Sequence, residues 1–123
     1  MKKCLSIQLH LSPTDDRVQN LLLTILNASL PNNKGLYNRG CYRPILVSFD
    51  HGKEEGVPYT NMNFDIEDVK LLWDFVKPQL DIAKLLPFSI VVCEGPNGWD
   101  DYHLLHSFDP AEKIDEIGAS HNG

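Results

Sequence analysis

Two hydrophobic periods meet within the first thirty residues. Leu5, Ile7, Leu9 and Leu11 alternate with polar residues, which is the pattern of a strand with one buried face. From Val18 onward Leu21, Leu22, Ile25 and Leu26 make one apolar stripe at helical spacing. Between the two runs, Ser12 suits a helix cap, Pro13 its first position, and Asp15 and Asp16 its positive end. Leu30-Pro31 closes that helix near Ser29. A half-buried strand feeding an amphipathic helix restricts the chain to folds in which helices cover a sheet.

The later pattern extends this frame. Residues 32–43 form a loop rich in Asn, Gly and Tyr. Arg43 to Phe49 reads as a strand, with Pro44 at its start and Ile45, Val47 and Phe49 on one face. Asp50 to Gly56 is a turn, and Val57 to Phe64 a weak return strand, because Pro58 and two asparagines oppose it. Asp65 is placed to cap a second helix whose stripe is Ile66, Val69, Leu72, Trp73 and Val76. Pro78 is expected to kink or split it, leaving Gln79 to Leu86 as a second piece.

Ile90-Val91-Val92-Cys93 is apolar on both faces, so the strand Phe88 to Glu94 belongs inside a sheet. Gly95-Pro96-Asn97-Gly98 is a turn and Trp99 to Phe108 the hairpin partner. Asp109-Pro110 is expected to start a last helix ending near Gly118.

The fold class expected is α+β: a mixed or antiparallel sheet of four to five strands with two main helices. Its order β-α-β-(β)-α-β-β-α resembles a ferredoxin-like sandwich with an added hairpin strand. If residues 57–64 were loop instead, the alternative is α/β, with three parallel strands and one antiparallel edge strand. Residues 1–118 read as one compact domain and 119–123 as a disordered tail.

Of the 123 residues 42% are hydrophobic and the net charge is −6. That composition is not one of intrinsic disorder, and its sign argues against general nucleic-acid binding. The charge is uneven along the chain. Residues 1–93 hold ten acids and ten bases, whereas residues 94–123 hold seven acids against Lys113. No acid occurs between Arg17 and Phe49, while Asp50 to Asp68 carries six against Lys53. Three cysteines, Cys4, Cys41 and Cys93, without a Cys-x-x-Cys pair read as reduced thiols and a cytoplasmic chain. The N-terminal apolar stretch is too short and too polar for a signal peptide or a membrane span.

No catalytic constellation and no cofactor motif is legible. His103 and His106, three apart on a strand, are expected on opposite faces, which would keep them from sharing a metal. His10-Leu11-Ser12 resembles one half of the paired His-x-Ser/Thr signature of the two-histidine phosphoesterases. The second half would have to be His106-Ser107-Phe108, which departs from that pattern. Cys41 lies between Arg39 and Arg43, two cations able to lower a thiol pKa, but no base accompanies it.

Two surfaces remain. The loop from Asn33 to Arg43 gathers Lys34, Tyr37, Arg39, Tyr42 and Arg43, which suits an anionic ligand such as a phosphate or nucleotide. The final hairpin and the segment after it carry Trp99, Asp100, Asp101, Tyr102, His103, Glu112, Asp115 and Glu116. With Tyr102, Leu104 and Phe108 facing the core, Trp99, Asp101 and His103 would point outward. Exposed aromatics beside carboxylates fit a protein partner with a basic surface. In length and composition the chain is similar to small cytosolic inhibitors such as bacterial immunity proteins. The function expected is therefore an inhibitor or immunity-type binding module, with a nucleotide or small-molecule sensor able to form a homodimer, and a small enzyme of unread site, as alternatives.

Overall fold

The computed structural model describes residues 3–28 and 45–115. In chain order these form β1 (Lys3–Leu9), α1 (Asp16–Ala28), β2 (Ile45–Glu54), β3 (Val57–Ile66), α2 (Val69–Ile82), β4 (Ser89–Gly95) and β5 (Gly98–Ser107). The five strands make one sheet in the order β2-β3-β1-β4-β5, and every neighbouring pair is antiparallel. The chain is thus α+β, with a five-stranded antiparallel sheet and two helices.

The opening alternation sets the core. Leu5, Ile7 and Leu9 are fully buried. Register places them beside Phe64, Met62 and Thr60 of β3, and beside Cys93, Val91 and Ser89 of β4. Residues directly opposite share a face, so these nine make one surface. Val18, Leu21 and Ile25 of α1, with Leu72, Trp73, Val76 and Leu80 of α2, complete the same cluster. The two polar members are satisfied: Thr60 Oγ1 donates to the Leu11 carbonyl at 2.9 Å and Ser89 Oγ to that of Leu86 at 3.3 Å. On the other face Ser6, Gln8, Asn61 and Asn63 are half-buried, and Asn63 Nδ2 donates to Ser48 Oγ at 2.7 Å.

Several expectations shift by a few residues, each for a local reason. Helix α1 begins at Asp16, not after Ser12. Its cap is Asp15, whose Oδ1 accepts from the Arg17 amide at 2.9 Å, while Ser12 and Pro13 belong to the preceding turn. In β2 the ladder shifts between Leu46 and Ser48, leaving Val47 56% exposed. Leu46 and Phe49, rather than Val47, therefore pack against the core. Strand β2 continues to Glu54, and the turn shrinks to Glu55 and Gly56, both with positive φ (52° and 83°), the two-residue form suited to strand twist.

Strand β3 is full length: Pro58 lies next to that turn, and Asn61 and Asn63 point away from the core. Asp65 and Ile66 belong to β3, and the cap of α2 is Asp68, which accepts from the Leu71 amide at 3.1 Å. Helix α2 is not split at Pro78. That proline is exposed, and Val76 and Leu80, buried on either side of it, hold the helix to the core. The helix ends after Ile82, where the Leu85 amide donates to Leu80 O at 2.8 Å and the Lys84 amide to Asp81 O at 3.1 Å. This paired closure turns the backbone through a left-handed residue, here Lys84 at φ 59°. A short 3-10 turn, Leu86–Phe88, leads into β4.

The expected last helix does not form over residues 109–115. Asp109 instead closes a turn, its Oδ1 accepting from the Ala111 amide at 2.9 Å and its carbonyl from the Glu112 amide at 3.1 Å. Residues 109–115 are all exposed, so no apolar stripe exists to dock a helix there. The 119–123 tail lies outside the described residues.

Candidate interaction surface

Strand β5 departs from its partner in two places. Between the pairs Gly95–Gly98 and Cys93–His103, the single residue Glu94 faces residues 99–102. The surplus backbone forms an arch that carries Trp99 and Tyr102, 46% and 54% exposed, with Asp100 exposed between them. The arch is anchored at its base by Asp101. Its Oδ1 accepts from the Asn97 amide at 2.9 Å and its Oδ2 from Asn97 Nδ2 at 3.2 Å. Gly95 is required underneath, since a Cβ there would run into the Asp101 carbonyl oxygen.

The second irregularity is a bulge at Leu105. Leu105 joins the core at 4% exposure, whereas Tyr102 and Phe108, expected inside, are exposed, Tyr102 within the arch and Phe108 beyond the end of β5. The same bulge brings His103 opposite Cys93 and His106 opposite Val91, two residues of one face, so the expectation of opposite faces fails. His106 Nε2 lies 2.9 Å from the Leu86 carbonyl. Among the described residues no group of three or more His, Cys, Asp or Glu is arranged to hold a metal.

Beyond β5 the chain folds back as a strap. Phe108 meets the His10 ring edge-on, with centroids 4.7 Å apart, and His10 Nε2 is buried without a hydrogen-bond partner among the described residues. At the strap's far end the Asp115 amide donates to the Leu104 carbonyl at 2.7 Å, and Asp115 Oδ2 accepts from the Leu104 amide at 2.8 Å. Asp115 thus covers part of the outer edge of β5.

The electrostatics are one-sided. Among the described residues from 94 onward, Glu94, Asp100, Asp101, Asp109, Glu112 and Asp115 face only Lys113. The ion pairs among the described residues, Arg17–Asp15 and Lys70–Asp74, both lie elsewhere. Where these acids are engaged, by Cys4, Asn97, Ala111 and Leu104, the donors are neutral N–H groups. Their charge is therefore hydrogen-bonded but not neutralised, and Asp100 and Glu112 project without side-chain partners among the described residues.

Of the partner-binding residues expected from sequence, Trp99, Asp100, Tyr102 and Glu112 are outward and free to make contacts. Asp101 and Asp115 hold the arch and the strap, and His103 is half-buried. Glu116, the anion-binding set Lys34, Tyr37, Arg39, Tyr42 and Arg43, and Cys41 all lie outside the described residues. The Asn97–Asp101 clamp and the Asp115–Leu104 closure were not foreseen. The signal for the second was Asp109-Pro110, a dipeptide that starts turns as readily as helices.

The two described thiols are poorly suited to nucleophilic work. Burial, then the Asp65 and Glu94 carboxylates, push Cys4 up to about 11, and burial raises Cys93 to about 11. No protein-family model matches the chain, and no curated protein or solved structure matches it. Among the described residues no helix is long and apolar enough to cross a membrane.

Proposed function

We propose that this chain is a stoichiometric binding module of inhibitor or immunity type, acting in the cytoplasm, which sets the acidic, aromatic arch of β5 against a basic surface of another protein. The supporting scaffold is read as ferredoxin-like, its first six elements forming the sandwich and β5 widening the sheet beside β4. The observation that carries the reading is the pairing of Trp99 and Tyr102, each about half exposed, with unneutralised carboxylates on one edge. Large aromatics supply most of the contact energy at interfaces, and surrounding charge speeds and orients encounter.

The test is native mass spectrometry of the protein purified from its own host, with the wild type and Asp100→Lys compared. The expected result is a one-to-one complex with a basic polypeptide that dissociates as salt rises and is depleted for Asp100→Lys. A complex indifferent to salt and to the substitution would contradict the proposal. So would a small anionic adduct in place of a polypeptide, which would favour the loop 33–43.

A further inference from the structure

The edge of β5 indicates how such a partner is held. Backbone alternation turns the amide and carbonyl of a strand residue to one side and those of the next to the other. Leu104 points its pair outward, to Asp115. The same alternation, counted back from His103, turns the amide and carbonyl of Tyr102 outward, and no described residue of the strap bonds to them. His103, between the two, is paired inward with Cys93. The outer edge is therefore half used: one residue of the strap imitates one residue of a sixth strand, with a carboxylate standing in for a backbone carbonyl.

The strap is a weak occupant. Its residues 109–115 are exposed throughout, and only two hydrogen bonds join Asp115 to the edge. Its own character also selects what could replace it. A second copy of this chain would bring its Asp100, Asp109, Glu112 and Asp115 against the same residues, a like-charge contact that opposes edge-to-edge pairing. A cationic segment meets the opposite field.

We infer that the partner's basic surface includes an extended segment that displaces the strap and adds to the outer edge of β5 as a sixth strand, bonding Leu104 and Tyr102 through its backbone. Side chains on one face of that segment lie against Tyr102, and its cations meet Asp100, which belongs to β5 and stays when the strap leaves. This mode, backbone bonds for affinity and alternate side chains for selection, is a general form of peptide recognition. It rests on the basic-partner reading above and adds the geometry of contact.

The experiment uses the full chain and two synthetic ten-residue probes of alternating lysine and valine, one of them N-methylated at every residue. Methylation removes the backbone donors and leaves the charge. The unmethylated probe is expected to bind and to slow amide exchange at Tyr102, with no slowing along β2, and the methylated probe to bind about tenfold more weakly. Equal affinity for the two probes, or protection confined to β2, overturns strand addition while the basic-partner reading stands. Binding of neither probe to the folded protein overturns both.

Discussion

Asp115 meets Leu104 through two hydrogen bonds, its amide donating to the Leu104 carbonyl at 2.7 Å and its carboxylate accepting from the Leu104 amide at 2.8 Å. Removing the carboxylate takes away only the second. Asp115→Ala should therefore free the Leu104 amide and raise its hydrogen-exchange rate by about an order of magnitude, at a cost to global stability of about 1 kcal/mol or less. Asp115→Asn, which retains an acceptor oxygen, should keep most of the protection. Unchanged exchange at Leu104 in the alanine variant would show that the strap is not held this way.

Two glycines separate steric from conformational demands. Gly95 has backbone in the space where a Cβ would go, whereas Gly56 has open space but φ of 83°. Gly95→Ala should cost about 3 kcal/mol and loosen the arch, because the Asp101 carbonyl cannot withdraw as a side chain could. Gly56→Ala should cost about 1 kcal/mol through backbone strain alone. Chemical denaturation of both variants, followed by fluorescence, measures the difference.

Lys84 closes α2 in a left-handed conformation, φ 59°, that a side chain disfavours. Lys84→Gly is expected to raise stability by about 0.5 kcal/mol, the relief of strain exceeding the entropy that glycine adds to the unfolded chain. A destabilised variant in thermal unfolding would contradict the assignment.

The thiols predict a loss of stability in alkali. Cys4 and Cys93 are raised from 9.0 to about 11 in the folded chain, chiefly by burial. The native state then keeps protons that the unfolded state has released. Stability owed to this difference is intact below pH 9 and declines as the pH rises from about 9 to about 11. A variant with Cys4→Ala and Cys93→Ala should show a shallower decline over that window in urea unfolding, and identical slopes would refute the shifts.

How legible each element was follows from where its stabilising partners lie. β1 and α1 could be read from Leu5 through Leu26 because their own periodicity meets the core, although the cap moved to Asp15, and the helix start to Asp16, since a capping carboxylate outcompeted Ser12. The strength of β3 was hidden because Pro58 and the asparagines lower local propensity, while Met62, Phe64 and Ile66 gain their burial from β1 and the helices. Ile66 satisfies both a helical stripe and a strand alternation, and only the pairing with Lys3 decides between them. The facing of β5 was lost at Leu105 and at residues 99–102, where bulges reset a two-residue period. The candidate surface was legible in composition, as Trp99, Asp100, Tyr102 and Glu112, but not in geometry. The roles of Asp101 and Asp115 depend on Asn97 and Leu104, contacts that composition cannot specify.

The most direct test of the account is the association rate of the purified partner with the wild-type chain and with Asp100→Lys, measured across a salt series. The account predicts a rate for the wild type that falls by about tenfold or more as salt is raised, and a slower, less salt-dependent rate for the variant. Association that is independent of salt and equal for the two proteins would contradict it.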